Sequence, residues 1–490
     1  MRNQVQLITY VDRLTCGGLE DLNTLLNGPL AGVFSGIHLL PIFDPIDGSD
    51  AGFDPKDHTR VDPRLGDWND VRRLAGSLEV MADLIVNHVS IDSPQCRDYL
   101  AHGDASPYAP MFLTLDRVFP NGADEADLVA IYRPRPGLPF TDTRLVSGRR
   151  RLLWTTFTPQ QIDIDVQHPT GEAYLEAIIE EFRKAGITAI RLDAAGYAVK
   201  KAGTSCFMIP ETYDFIAKLA EKAQAAGMEV LVEIHSHYMQ QIEIAKRVDR
   251  VYDFALPPLV LHALFTGNGT YLTKWLEIGP RNAVTVLDTH DGIGVIDVGA
   301  DSAGNQGLLP PAEIDGLVET IHSRSNGQSR KATGAAASNL DLYQVNCTFY
   351  DALGADDKQY LIARAIQFFA SGIPQVYYMG LLAGSNDMEL LARTGVGRDI
   401  NRHYYATGEV EAALARKVVA ALIQLIRFRN SHRAFDGRLV VESSEQHVLS
   451  LLWKNEPDFA CLKVDLSTSE ASIQYSSDDG PRTIAIGVPA

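Results

Sequence analysis

The chain is poor in cysteine. Cys16, Cys96, Cys206, Cys347 and Cys461 are its five among 490 residues, odd in number and widely scattered. No CxxC pair or Cys/His cluster occurs, which argues against a disulfide framework or a thiolate metal centre and leads us to expect reduced thiols in a cytoplasmic protein. No run of about 18 apolar residues exists, so no transmembrane helix is expected. The opening "MRNQVQLITYVDRL" lacks an uninterrupted apolar stretch with a small-residue cleavage site, so no signal peptide is expected either. Basic residues are scarce relative to acidic ones, 44 against 62, for a formal net charge of -18. That balance speaks against nucleic acid as a partner, which needs a clustered basic face. No GxGxxG follows the first predicted strand and no Walker sequence appears, so the nucleotide-binding folds lose their usual signature.

What is present is a series of short apolar runs, each ending in polar residues: "VQLITY", "GIHLLPI", "VMADLIVNH", "ITAIRLDAAGY", "MEVLVEIH", "RVYDFALP", "AVTVLDTHD" and "IPQVYYMG". Continuous rather than alternating apolar residues predict strands buried on both faces, as in a parallel sheet. Amphipathic stretches lie between several of them. Tyr174, Ile178 and Phe182 recur at helical spacing before Gly186, and Phe215, Leu219 and Ala223 do so before Gly227. "QYLIARAIQFFASG" repeats the arrangement before the last run. Eight strands alternating with helices predict an α/β fold, a (β/α)8 barrel.

About a hundred residues separate the third run from the fourth, far more than a crossover helix needs. A second long, loop-rich segment follows the seventh run, and beyond about Ala434 the pattern changes to short β-rich runs such as "HVLSLLWK" and "FACLKVDLS". The expected organisation is a barrel in three parts (1–88, 168–291 and 355–434). Residues 89–167 form an inserted domain after strand 3, residues 292–354 a second insertion after strand 7, and residues 435–490 a small C-terminal antiparallel β domain.

In such barrels the residues at the C-terminal strand ends face the active site. Here the third run ends in Asn87 and His88, and the fourth offers Arg191 and Asp193, two apart and so on one side of a strand. The fifth ends at Glu233 with His235 two positions on, and the seventh ends in His290 and Asp291. Three carboxylates, two histidines and an arginine converging on one rim are costly to bury unless they are paired or do chemistry. Two neighbouring carboxyls, one ionised and one protonated, are the equipment of retaining glycosyl transfer. Arg191 beside Asp193 is expected to keep that carboxylate ionised by lowering its pKa.

"DLIVNH", "IRLDAAGY", "VEIH" and "LDTHDG" resemble, in order, the four successive motifs of the α-amylase family of glycoside hydrolases. The resemblance implies Asp193 as nucleophile, Glu233 as acid/base and Asp291 as the third, transition-state-stabilising carboxylate, with Arg191, His88 and His290 binding sugar. A narrower likeness, to the sucrose phosphorylases of that family, runs through "QLITY", "DGSDAGFDP", "MFLTLDRVFPNGA", "YRPRPGLPF", "FTPQQIDID", "AGTSCFM", "NLDLYQVN" and "GRDINRHYY". It implies transfer of glucose from sucrose to phosphate, with fructose and α-D-glucose 1-phosphate as products. It also implies no metal, although the Asn87 position often serves calcium in amylases, and a possible homodimer.

By the same resemblance, Asp50 and Arg398 fix the far hydroxyls of glucose, and Phe53, Phe157 and Tyr197 contact sugar faces. Gln161 and His235 are expected among the ligands, and Asp341, Leu342, Tyr343 and Gln344 form an acceptor-side loop. In "IYRPRPGLPF" the prolines rule out a helix and make a poor inner strand. Arg135 is the candidate contact to phosphate there, with Tyr132 and Pro134 shaping the acceptor side and Arg133 anchoring the loop. The run Arg149 to Arg151 is expected to be a solvated, mobile cationic edge. Competing expectations are a sucrose hydrolase or transglucosidase, a phosphorylase acting on sucrose 6'-phosphate, glucosylglycerol or glucosylglycerate, and a catalytically inert amylase-like binding protein. The last would have lost carboxylates that are all present here.

Overall fold

The computed structural model describes residues 1–48, 50–134, 137–301, 304–333, 344–443 and 445–488. Arg135, Asp341, Leu342 and Tyr343 lie outside the described residues. Eight parallel strands close a barrel: β1 (Gln6–Thr9), β2 (Gly36–Leu39), β3 (Glu79–Ile85), β4 (Ala189–Asp193), β5 (Glu229–Val232), β6 (Arg250–Asp253), β7 (Ala283–Thr285) and β8 (Ile373–Tyr377). Each pairs with its neighbours in the chain, and β8 closes on β1 through Gln6 opposite Gln375. All eight coincide with the predicted apolar runs. They carry almost wholly buried residues, because helices cover the outer face while side chains fill the inside. Helices α1 (Pro169–Lys184) and α2 (Pro210–Ala225) bury Ile178 and Phe182, and Leu219 and Ala223. Gly186 and Gly227, at φ 76 and 84, end them as a left-handed C-terminal residue does. The third predicted helix is α3 (Asp357–Phe369).

Between β3 and β4 the chain folds on its own small core of Leu113, Val118, Phe119, Ile131 and Trp154, which Cys206 joins from the loop after β4. A hairpin (Phe140–Arg144 with Arg150–Trp154) and a short pairing of His88–Ser90 with Gln161–Asp163 bind this insertion to the barrel mouth. In the hairpin Arg149 and Arg150 are exposed, as expected of a solvated edge, whereas Arg151 is largely buried; Arg149 and Arg151 pair with Asp104 and Arg150 with Asp142. After Asp291, Ile293–Gly294 pairs antiparallel with Gln344–Val345, tying the two ends of the second long segment together.

The C-terminal strands β9 (Arg438–Ser443), β10 (Val448–Asn455), β11 (Asp458–Asp465), β12 (Glu470–Tyr475) and β13 (Arg482–Ala485) form one antiparallel sheet in chain order. Leu449, Leu451, Trp453 and Leu462 of this sheet share a continuous core with the barrel, and the Trp453 indole N–H donates to the Phe369 carbonyl at the end of α3. Among the described residues, no helix is long and apolar enough to cross a membrane.

Candidate active site

The C-terminal mouth of the barrel holds a cleft of about 690 Å³. Its lining brings together Asp50, Phe53, His88, Phe157, Asp193, Tyr197, Glu233, His235, His290, Asp291 and Arg398, eleven of the residues expected from the sequence. Two of the strand-end placements need adjusting. Strand β7 stops at Thr285, so His290 and Asp291 stand on the loop beyond it, and His88 opens the short strand paired with Gln161–Asp163.

Asp193 is the last residue of β4, and Arg191 precedes it on the same side of the strand. The Arg191 guanidinium, 1% exposed, lies beneath the cleft floor. Its Nη1 donates to Asp193 Oδ1 at 2.9 Å and to Asp83 Oδ1 at 2.5 Å, and its Nη2 reaches Glu233 Oε1 at 2.9 Å. One cation therefore serves three carboxylates. Arg191 lowers the pKa of Asp193 as expected, but it does not prevail. Burial and the adjacent Glu233 carboxylate push Asp193 well up, and the divided guanidinium offsets them only in part. Glu233 is further held by the N–H of Ala194, 3.2 Å from its Oε2. Ala194 takes a left-handed conformation, φ 54, that a non-glycine residue adopts only where the surroundings hold it.

Asp83 would be raised by burial, yet His38 and Arg191 bring it down to about 2. Asp291 moves the same way for a different reason. Burial opposes ionisation, but Arg398 Nη1 at 2.7 Å from Oδ1, aided by Arg402, holds the carboxyl well below the usual range. Burial lowers His290 to about 3, so this ring is neutral, and it stacks on Phe53 with centroids 4.7 Å apart. His88 is also lowered by burial, and its Nε2–H donates to the Phe53 carbonyl at 2.9 Å, which fixes its tautomer. Gln161 Nε2 lies 3.4 Å from Asp50 Oδ2 and 3.1 Å from His88 Nε2, just behind the lining.

On the acceptor side, Tyr132 stacks on Phe207 at 4.6 Å and faces Tyr197 at 6.1 Å. Its N–H donates to the Ser205 carbonyl, and Pro134 is buried on the same loop. Arg133 Nη1 donates to the Gly137 carbonyl of its own loop at 3.1 Å. Gln344 Oε1 accepts from the Gly292 N–H at 3.1 Å, one residue past Asp291.

Several participants were not singled out from sequence. Phe207 lines the cleft because Gly196 leaves room for it: a Cβ there would lie 2.7 Å from the ring. Phe207 sits in the quoted "AGTSCFM", which was the available signal. Lys200 is the other. Its ammonium lies 2.8 Å from Asn87 Oδ1 and 2.8 Å from Asp163 Oδ2 and contacts the Tyr197 carbonyl, filling the place beside Asn87 with an internal cation. Donor atoms of Glu233, His235 and Asp291 also lie within 4.8 Å of one another. Each already has a protein partner (Arg191, Asp297 and Arg398 respectively), so the cluster is not assigned as a metal centre.

Residues 32–263 match the family model of the alpha-amylase catalytic domain. A sucrose phosphorylase of Agrobacterium vitis is 65% identical to this chain over 476 residues, covering 97% of this chain and 98% of that protein. A sucrose phosphorylase of Bifidobacterium adolescentis is 53% identical over 490 residues, covering 98% and 97%. The crystal structure of sucrose 6F-phosphate phosphorylase from Thermoanaerobacter thermosaccharolyticum is similar with a TM-score of 0.91 at 37% identity, over 99% of this chain and 98% of that one.

Proposed function

The chain belongs to the sucrose phosphorylase family, built on the alpha-amylase catalytic domain, and from that premise we propose that it transfers glucose from sucrose to phosphate, giving fructose and α-D-glucose 1-phosphate. The observation that carries this reading is Asp193 and Glu233 on one guanidinium at the floor of a cleft that Asp50 and Arg398 also line. Carboxyls drawn together in this way suit a double displacement with retained configuration.

In the first half, Glu233 acts as the acid and delivers a proton to the fructose-side oxygen. Asp193 attacks the anomeric carbon, the C1–O bond to fructose breaks, and a β-glucosyl ester forms. Loss of the Asp193 charge into that ester leaves Arg191 to Asp83 and the now ionised Glu233. In the second half, a phosphate oxygen attacks C1, the ester bond returns its electron pair to Asp193, and Glu233 takes the proton from phosphate. Asp291, kept ionised by Arg398, holds sugar hydroxyls and offsets the positive charge that develops at the anomeric centre. As the resemblance implies, Arg135 supplies the phosphate contact from the proline-rich segment, and Asp341, Leu342, Tyr343 and Gln344 belong to the acceptor-side loop.

The assay is incubation with sucrose, with and without phosphate. Formation of α-D-glucose 1-phosphate supports the reading, and free glucose alone at saturating phosphate refutes it in favour of a hydrolase. Sucrose 6'-phosphate, glucosylglycerol and glucosylglycerate as donors test the related phosphorylases. We assign no metal, since Lys200 occupies the place beside Asn87. We propose the domain division after residues 88, 167, 291, 354 and 434 on the sequence pattern alone. A cytoplasmic location suits five free thiols. A homodimer would cover the exposed Val129, Leu138 and Val146 of the insertion, and light scattering decides that point.

A further inference from the structure

Asp297 lies six residues beyond Asp291, in a short 3-10 turn at Ile296–Val298, and is 0% exposed. Three donors converge on its carboxylate: His235 Nδ1 at 3.1 Å, the Ser236 N–H at 3.2 Å and Gln241 Nε2 at 2.9 Å. His235 is the one ionisable donor among them. A fully buried carboxylate is costly unless a positive charge compensates it. Gly294 is shaped to this contact, since a Cβ there would lie 2.4 Å from Asp297 Oδ2. The opposite side of the imidazole turns to the cleft. His235 lines it, Nε2 is 4.0 Å from Glu233 Oε1, and the ring stacks on Phe254, from the end of β6, at 3.8 Å. Among the described residues, the other charged groups around His235 are Asp291, with Arg398 behind it, and Arg191 behind Glu233.

We propose that Asp297 is a specificity-determining residue that holds His235 as an imidazolium facing the acceptor position, so that the glucosyl intermediate partitions to phosphate in preference to water. This rests on the reading of the preceding subsection. Asp297 touches no substrate and acts by positioning and charging His235. Burial alone would lower the pKa of His235, but Asp297, reinforced by Glu233 and Asp291, raises it. An anionic phosphate entering beside the ionised Glu233 and Asp291 meets repulsion that a neutral water does not, and a charge-assisted N–H offsets it for phosphate alone. The proton on Nε2 stays in place throughout. Phosphate gives its own proton to Glu233, and the electron pair of the broken ester goes to Asp193.

The test is the ratio of α-D-glucose 1-phosphate to glucose formed from sucrose at fixed phosphate, from about pH 5.5 to 9, in the wild type and Asp297→Asn. Both products leave one intermediate, so damage to the donor half-reaction cancels, and comparing the two proteins at each pH cancels the ionisation of phosphate itself. The expected result is a ratio about tenfold lower in Asp297→Asn at neutral pH, with the alkaline fall in the ratio displaced downward by about one pH unit. An unchanged ratio with an unchanged pH profile would overturn the inference. Long-range proton–nitrogen NMR of His235 in the wild type decides the point without any variant: both ring nitrogens should carry protons at pH 7, and a ring already neutral there refutes it. If the wild type makes no glucose 1-phosphate at any pH, the phosphorylase reading fails, while the NMR result still decides whether Asp297 holds an imidazolium.

Discussion

Replacing Lys200 by methionine removes the internal cation that joins the insertion to the barrel. The side chain is 2% exposed and its partner Asp163 0%, so the change leaves a buried carboxylate without its counter-charge. Deleting one partner of such a pair costs about 3–5 kcal/mol. Thr156 still serves Asp163 through its N–H at 3.0 Å and its hydroxyl at 2.5 Å, which favours the lower end, about 3 kcal/mol. With roughly 2.1 cal/mol/K of unfolding entropy per residue, a chain of this length has an unfolding entropy of about 1 kcal/mol/K, so the melting temperature should fall by about 3 °C. Calorimetry reads this directly. Asp163 pairs with His88 in the short strand ladder, so the rate of sucrose turnover should fall as well. The double variant Lys200→Met/Asp163→Asn, which removes the orphaned charge, should recover part of the loss. A single variant melting with the wild type, or a double variant less stable than the single, would refute the reasoning. So would a wild type whose melting temperature drops on chelation, because the site beside Asn87 would then depend on a metal.

The assigned catalytic pair separates cleanly. Asp193→Ala should abolish covalent labelling by an activated glucosyl donor, and normal sucrose turnover by Glu233→Gln would remove Glu233 as the acid. Arg135→Ala should lower phosphorolysis more than release of glucose to water, and equal losses would contradict its role at the phosphate. His58 gives a pH prediction. Burial lowers its pKa to about 4 against an ordinary 6.5, so the unfolded chain takes the proton first. The stability it contributes is present above pH 6.5 and is lost as pH falls from 6.5 towards 4, by about 2 kcal/mol at pH 5. Urea melts of the wild type and His58→Gln at pH 7 and 5 should show that much less acid loss in the variant, and parallel losses would count against the assignment.

The barrel was readable because its strands are buried on both faces and so appear as uninterrupted apolar runs, and because Gly186 and Gly227 mark where helices stop. The cleft was readable where chemistry concentrates at strand ends: Asp193 and Glu233 stand within a residue of β4 and β5. His290 and Asp291 were found by motif although β7 ends five residues earlier, since a three-residue strand leaves no periodic signal for its end. What stayed hidden depends on partners distant in the chain. Nothing near Lys200 announces Asn87, 113 residues away, and nothing near His235 announces Asp297, 62 residues away. The partner of the hairpin arginines was hidden for the same reason, because Asp104 lies 45 residues before Arg149.

The pKa of Asp193 shows what a motif alone leaves out. Two residues apart on a strand, Arg191 and Asp193 suggest a one-to-one pair and an easily ionised nucleophile. In the fold, Asp83 from β3 and Glu233 after β5 reach the same guanidinium, so its charge is shared among three carboxylates and offsets only part of the rise that burial and Glu233 impose on Asp193. Glycosyl transfer needs a proton donor at this site, because the leaving oxygen must receive one. Asp291 escapes the shortage by having Arg398 and Arg402 from a different loop. The arginines are thus divided unevenly: one guanidinium serves three carboxylates around Asp193, and two lie near the single carboxylate of Asp291. A second cation beside Asp193 should lower its pKa. Removing Arg398 should have the opposite effect on Asp291, raising its pKa and shifting the acid limb of sucrose turnover upward.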